Sequence, residues 1–238
     1  MKSFWMLLML TVMQPIASFP AAASKLSPQQ HTLMANVFLS EVHEYLVGGR
    51  GYDYYRPLLA LSVRDIDLAR AYKADAAAAD VHYRNKVAIV AGKLMAIEKQ
   101  PSSSCAVAKF RGVQASLCGS QMALVQEKSD AVLLACAVHA GAKDGLVWLS
   151  DCDDPDITLG RLAKDRADQV EANPMFEPNS KWIALVNLLP AFLPAKTSCM
   201  DKISTACMDD LGMAVANWNV SASSKDPAAQ RAMSMFGH

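Results

Sequence analysis

The chain has 238 residues, and its 23 Lys and Arg balance its 23 Asp and Glu, so the formal net charge at pH 7 is zero. A neutral protein has no general attraction for phosphate backbones, which argues against nucleic acid as a partner. No stretch after residue 24 is long and apolar enough to span a bilayer, so we expect no membrane insertion of the mature chain.

Residues 1–23 have the pattern of a signal peptide. Lys2 is the only charge before an apolar run over residues 4–13, and three alanines at 21–23 offer a cleavage site before Ser24. The run is much shorter than the roughly 20 residues that a membrane-spanning helix needs. We predict cleavage before Ser24 and a periplasmic or secreted location.

Residues 24–61 are predicted to form a helix and a loop. Ser27, Pro28 and Gln30 have the pattern of a helix start, with Ser27 as the cap, Pro28 in the first turn and Gln30 completing a capping box. From Leu33 onward, apolar residues recur at three- and four-residue steps and give the helix one apolar face.

Residues 62–153 are predicted to form a second helix and a β-barrel. The helix should run from Ser62 to about Asp80. The strand signals and one short helix then follow at 87–97, 106–110, 113–117, 121–128 (helix), 131–138 and 146–149. Three strands, a helix and two strands is the element order of an OB barrel. We therefore expect an α+β protein, a five-stranded OB-type Greek-key β-barrel flanked by N-terminal and C-terminal helices.

Residues 154–238 have a helical pattern. Asp154 and Pro155 can start a helix that runs to about Asn173. An apolar stretch follows a polar loop, and Ser198 with Asp201 could cap a last helix that reaches Trp218.

Part of the barrel region resembles a known family. Its opening reads Tyr72-x-x-Asp75-x-x-x-Ala79-Asp80-x-x-Tyr83-x-x-Lys86-x-x-x-Val90-x-Gly92-x-Leu94-x-x-Ile97, and it ends with Cys136, a glycine-containing turn and Leu149-Ser150-Asp151-Cys152. This sequence resembles the tRNA_anti-like (OB-fold) family of exported bacterial proteins, whose members usually carry Asn where Asp75 stands. The resemblance covers about residues 62–153. It implies a fold and a compartment but no catalytic residues, since most members have no assigned activity.

The even number of cysteines, all in the predicted mature chain, favours a disulfide framework. Cys105 and Cys118 flank a candidate turn at 111–112, and counting outward from this turn places them opposite each other at a closely spaced pair. Cys136 and Cys152 are symmetric about a glycine-containing turn and should also face each other. A free buried thiol is the alternative for each residue.

Cys199 and Cys207 remain by elimination. A continuous helix would separate them by about 12 Å, which is too far to bridge. Their pairing therefore requires a break between them or a position of Cys199 outside the helix. A catalytic thiol is disfavoured, because the chain has no C-x-x-C motif.

No catalytic, metal or cofactor motif occurs in the sequence. None of the histidines shares a metal-ligand spacing with another, and the zinc-protease, nucleophile-elbow, P-loop and dinucleotide patterns are absent. Asp151, Asp153, Asp154 and Asp156 could bind calcium, but we favour helix capping by Asp154. We therefore expect no metal, no cofactor and no enzyme activity.

Two groups of residues are candidates for ligand binding: Tyr52, Tyr54, Tyr55, Lys109 and Arg111. The tyrosines lie on a short loop between two arginines and could stack on a ligand, although such rings more often pack over a neighbouring helix. Lys109 and Arg111 could line the face that OB folds use for binding, or could simply be solvated.

We expect a soluble exported binding or interaction module, in which the barrel is a scaffold and the helical flanks contact another protein of the envelope. An inhibitor or immunity-type protein is the specific version of this hypothesis. The alternatives are an enzyme with a site assembled from scattered residues, such as the aspartates at 151–156 or His139, and a structural envelope component.

Overall fold

The computed structural model describes residues 25–48, 54–101, 103–126, 131–139 and 146–223, which form an α+β protein. The predicted signal peptide and its cleavage site before Ser24 lie outside these residues. The described part contains seven α-helices: α1 (Pro28–Leu46), α2 (Asp65–Ala74), α3 (Ala76–Tyr83), α4 (Ala123–Gln126), α5 (Pro155–Ala172), α6 (Glu177–Leu188) and α7 (Cys207–Ser223). It also contains seven strands: β1 (Val63–Arg64), β2 (Val87–Gly92), β3 (Ala96–Lys99), β4 (Cys105–Lys109), β5 (Val113–Cys118), β6 (Val132–Val138) and β7 (Val147–Asp153).

These strands form one open, mixed sheet in the order β1-β2-β6-β7-β5-β4-β3. The β1–β2 and β5–β7 pairs are parallel, and the other neighbours are antiparallel. The predicted five-stranded closed OB barrel is therefore wrong.

The barrel does not form because residues 87–97, the predicted first strand, belong to two strands that pair with different neighbours. The chain leaves the ladder at residues 93–95, so that β2 pairs with β6 whereas β3 pairs with β4 at the far edge of the strand order. Gly92 is the last residue of β2, and a Cβ atom there would lie 2.9 Å from the Asp65 carboxylate. The break is thus associated with a tertiary contact that hydrophobic periodicity does not report.

The N-terminal helix agrees with the sequence prediction. The Gln30 amide donates to the Ser27 hydroxyl, and the Ser27 amide donates to the Gln30 side chain, which completes the capping box. The predicted single helix from Ser62 to Asp80 is wrong, because α2 ends and α3 begins at Asp75. The Asp75 carboxylate accepts the Ala78 amide at 2.9 Å and caps α3, so this residue starts a new helix.

The C-terminal helices agree with the prediction in part. Helix α5 begins after Asp154, as predicted, and the Asp154 carboxylate accepts the Asp156 amide. The predicted start of the last helix near Ser198 is wrong, since α7 begins at Cys207. The predicted short helix at 121–128 is a 3₁₀ turn and α4, and its last two residues lie outside the described chain.

Three disulfides join the six cysteines. Cys105 and Cys118 are directly opposite in the β4–β5 ladder, with Cα atoms 4.0 Å apart. Cys136 and Cys152 join β6 to β7 with Cα atoms 4.1 Å apart. Cys199 lies outside a helix, which allows its Cα to approach that of Cys207 to 5.0 Å. No described cysteine is free, and such a framework is typical of an oxidising compartment outside the cytosol.

Two hydrophobic cores lie on opposite faces of β2 and β6. The helical core joins α1, α5, α6 and α7 and includes Ile89 of β2 and Ala135 of β6. The sheet core contains their neighbours Val90 and Leu134, together with Leu68 of α2. Because successive strand residues point to opposite faces, these two strands are apolar along their length rather than alternating. Among the described helices, none combines the length and apolar character that crossing a bilayer requires.

Candidate functional site

A surface groove of about 510 Å³ lies between the C-terminal ends of α1 and α3. We call it the α1–α3 groove. Its lining comes from the end of α1, from residues 54–61, which we call the middle segment, and from the end of α3 with the turn before β2. The lining residues are Tyr45, Gly48, Arg56, Leu59, Ala60, Leu61, Val81, His82, Tyr83 and Lys86. The volume is in the range of small-molecule and side-chain binding sites in proteins, about 300–1,000 Å³.

Backbone hydrogen bonds fix the middle segment of the groove against the sheet. The Ala60 amide donates to the Val87 carbonyl, and the Val87 amide donates to the Leu58 carbonyl, both at 2.9 Å. The Tyr45 hydroxyl donates to the Leu59 carbonyl at 3.2 Å and links the end of α1 to the same segment. The groove floor is therefore held by β2 on one side and by α1 on the other.

Two exposed apolar side chains line the groove, and two others lie next to lining residues in the sequence. Leu61 and Val81 line it and are 49% and 74% exposed, respectively. Val47, at the end of α1, is 85% exposed, and Leu58 is 37% exposed. Single exposed apolar residues are ordinary, whereas several that share one groove are characteristic of interaction surfaces, and Leu61 and Val81 share this groove.

Two of the residues that line the groove, Arg56 and Lys86, carry a positive charge. Arg56, His82 and Lys86 reach it from different segments, and no Asp or Glu belongs to the described lining. Asp80 is close in sequence, but its carboxylate pairs with Arg84 along α3 at 3.6 Å. The groove therefore presents an apolar surface with basic groups beside it.

The predicted tyrosine cluster lies next to this groove rather than in it. Tyr52 is outside the described residues. Tyr55 is buried, and its hydroxyl donates to the Phe38 carbonyl at 3.3 Å. Tyr54 packs edge-on against Tyr55, and the Arg166 guanidinium lies 4.3 Å from the Tyr54 ring centre. These two rings anchor the middle segment to α1 and α5.

Lys109 ends β4 and Arg111 follows it, near one edge of the sheet. The described tyrosines belong to the middle segment, which is hydrogen-bonded to β2 near the other edge. Lys109 pairs with Glu98 across the β3–β4 ladder. Arg111 lines a second cleft of about 450 Å³ together with Asp65 and Lys93. The Asp65 carboxylate accepts the backbone amides of Ile66 and Arg111, so it joins the start of α2 to the β4–β5 turn. The structure therefore does not bring the two predicted groups into one site.

The aspartates at 151–156 serve mainly local structure. Asp153 accepts the Asp154 amide at 2.9 Å, and Asp154 caps α5. In the described chain, no three His, Cys, Asp or Glu side chains are grouped so that they could hold a metal ion.

His139 lies beside Ser150 and Asp151, but the order of the contacts does not make a catalytic triad. The His139 ring contacts the Ser150 hydroxyl, which donates to the Asp151 carboxylate at 2.8 Å. In a triad the carboxylate holds the histidine, and the histidine accepts the serine proton. Here the carboxylate binds the serine itself, so the arrangement does not activate a nucleophile.

Glu41 is a titratable group that sequence analysis did not single out. Burial raises the pKa of its carboxyl to about 8, with the Glu44 charge adding to the shift and Arg166 opposing it. His43, two residues further along α1, has a lowered pKa because burial disfavours its charged form. Both groups lie on the helix that carries one wall of the groove.

Comparison of the chain with protein-family models, with curated proteins and with solved structures gave no match. The resemblance of residues 62–153 to an OB-fold family therefore stays a prediction, and the site is interpreted from its own geometry.

Proposed function

We propose that this chain is an exported protein-binding module that acts in the periplasm and docks another protein of the envelope through the α1–α3 groove. The observation that carries the proposal is that two exposed apolar side chains, Leu61 and Val81, line the same groove from different segments. The three disulfides support the export part of the proposal, because such bonds persist in oxidising compartments.

The rigidity of the groove also supports docking. The middle segment is hydrogen-bonded to β2, and the buried Tyr55 anchors it beneath α1. A surface held in its binding conformation loses little conformational entropy when a partner binds, so more of the contact energy remains as affinity. The exposed apolar residues are therefore held in place for binding, as expected of a protein interface.

Site-specific photo-crosslinking in cells that export the protein tests this proposal. A crosslinking side chain at position 61 or 81 should give one shared adduct with a defined protein. Met175 provides the matched control, since it is apolar and 72% exposed but lies on the α5–α6 loop. The same adduct from position 175 would show that the contact is not specific to the groove.

The identified protein is then purified and its affinity measured directly. Val81→Asp should weaken binding by at least about tenfold, a loss of about 1.4 kcal/mol, because it places a carboxylate at an apolar contact. Met175→Asp should leave the affinity unchanged. Equal affinities for the wild type and Val81→Asp would overturn the proposal.

A further inference from the structure

We infer that the Cys105–Cys118 disulfide is a redox site, which a dithiol reductant opens while the other two disulfides stay closed. The dithiol is either a small molecule or the paired cysteines of a reducing protein. This inference is independent of the docking function, because it concerns the ends of β4 and β5 and not the α1–α3 groove.

Accessibility separates this disulfide from the others. Cys118 is exposed and Cys105 is half-buried. The cysteines of the other two bridges are all 0% exposed: Cys136, Cys152, Cys199 and Cys207. A disulfide exchanges only when a thiolate reaches one of its sulfur atoms, so exposed disulfides are the labile and regulatory ones. A buried disulfide reacts only after a local opening of the protein, and the difference in burial therefore predicts selective reduction.

The chain segments next to the bridge are exposed as well. Ser103 and Ser104 precede Cys105, and residues 119–120 follow Cys118; all four flanking residues are exposed. Neither the turn before β4 nor the turn after β5 therefore shields the bond from a reductant.

The exchange transfers two electrons and two protons. A thiolate of the reductant attacks the Cys118 Sγ, because Cys118 is the more exposed of the two residues, and the Cys105 sulfur leaves as a thiolate and takes a proton. The second thiol of the reductant loses its proton and attacks the mixed disulfide, which releases Cys118 as a thiolate that is protonated in turn. The products are two protein thiols and the disulfide of the reductant.

The sheet should keep its structure when this bond opens. Four further residue pairs join β4 to β5, from Ala106 and Leu117 beside the bridge to the far end of the ladder. Ala106 and Leu117 are 1% and 0% exposed, and β3 and β7 hold the outer sides of the two strands. Opening therefore releases only the adjoining turns, so the bond can form again when the reductant is removed.

Kinetic labelling tests the inference with the purified, oxidised protein. The folded protein is incubated with dithiothreitol or with a purified C-x-x-C dithiol protein, quenched with acid, alkylated and digested. Mass spectrometry should show Cys105 and Cys118 labelled at least about tenfold faster than the other four cysteines, which react only after local opening. Labelling of all six at one rate, prior opening of another bridge, or no labelling by either reagent would overturn the inference.

A variant of the dithiol protein that lacks its second cysteine stops the exchange at the mixed disulfide. Digestion should find this protein joined to Cys118, and a linkage to Cys105 would refute the assigned attack. Reduction by dithiothreitol without any such adduct would support the site and assign it to small dithiols.

Replacing both Cys105 and Cys118 with serine imitates the open state and tests whether the change is local. The other four cysteines should be labelled as slowly in this variant as in the wild type, and the circular dichroism spectrum should be unchanged. Faster labelling of the remaining cysteines would show that the bond holds the whole protein closed, which contradicts a separate redox site.

Discussion

Asn36 shows how one polar residue can organise a distant loop. It is 1% exposed in the apolar face of α1, and its side-chain amide donates to the carbonyls of Cys199 and Lys202. Its carbonyl oxygen accepts the Ser204 amide at 2.9 Å. All three contacts go to the backbone of the loop closed by the Cys199–Cys207 disulfide, so this residue fixes the loop against the first helix.

Replacing Asn36 with alanine should destabilise the protein by at least about 2 kcal/mol, because it leaves buried backbone groups without partners. Denaturant unfolding measures the change. Asn187→Ala is the control, since Asn187 is exposed and bonds only the Gln30 side chain among the described residues. We expect that control to change stability by less than about 0.5 kcal/mol. Similar losses for the two variants would contradict this role of Asn36.

Glu41 should make stability fall as pH rises. Its carboxyl has a pKa of about 8 in the folded chain against 4.5 in the unfolded chain, so the folded state holds a proton that the unfolded state has lost. This contribution is complete below pH 4.5, decreases as pH rises and is lost above pH 8. The loss amounts to a few kcal/mol, since one pKa unit corresponds to about 1.4 kcal/mol.

Glu41→Gln keeps the neutral form at every pH and should therefore flatten the decrease. Thermal unfolding from pH 5 to pH 8 compares the variant with the wild type. His43 has the opposite effect, because its lowered pKa favours folding as pH rises through 6.5. Because His43 is present in both proteins, the difference between the wild type and Glu41→Gln isolates the effect of Glu41. If stability changed with pH equally in the two proteins, the pH dependence could not be assigned to Glu41.

At the scale of elements, α2 is held closely against the turn between β4 and β5. Gly112 of this turn has φ of 76°, and a Cβ atom there would lie 2.6 Å from the Cβ atom of Ala69. Gly119 also has a positive φ, of 57°, but a Cβ atom there would have nothing within 4 Å. The two glycines share a positive φ, which glycine adopts without strain, and differ in packing.

Gly112→Ala should therefore cost more stability than Gly119→Ala. Both variants place a side chain at positive φ, which costs about 1–2 kcal/mol. Only the first must also separate α2 from the turn, and overpacking typically adds about 1–3 kcal/mol. Denaturant unfolding measures both losses of stability. Equal losses for the two variants would show that α2 moves to make room for the added methyl group at no cost.

Among these elements, the features that depend on local spacing could be predicted from the sequence. The Ser27 capping box and the pairing of Cys105 with Cys118 follow from local spacing, and both predictions are confirmed. The break between β2 and β3 follows Gly92, whose backbone lies close to Asp65 of α2 in the folded chain, and no local pattern shows this approach. The groove was also missed, because its lining residues lie as far apart as Tyr45 and Lys86 and join only in the folded chain.

At the scale of the whole molecule, the Cys136–Cys152 disulfide should stabilise the protein mainly by reducing the conformational entropy of the unfolded chain. The two residues are separated by 16 positions, and closing such a loop is worth about 3 kcal/mol by the loop-entropy argument. Replacing both cysteines with alanine should lower the melting temperature by several degrees without abolishing the fold. Scanning calorimetry gives the shift. Mass spectrometry of the unreduced digest checks the pairing, and separate alkylated peptides would refute it.

Helix α1 packs against α5, α6 and α7, the last elements in the described chain. A growing chain therefore carries the apolar face of α1 only partly covered, by the middle segment and the sheet, until α5, α6 and α7 have been made. These long-range contacts place completion of the helical core late in folding, and such topologies fold more slowly than those built from local contacts. A chain truncated before Pro155 would retain the sheet strands but leave α1 without its helical partners, so it would be prone to aggregate.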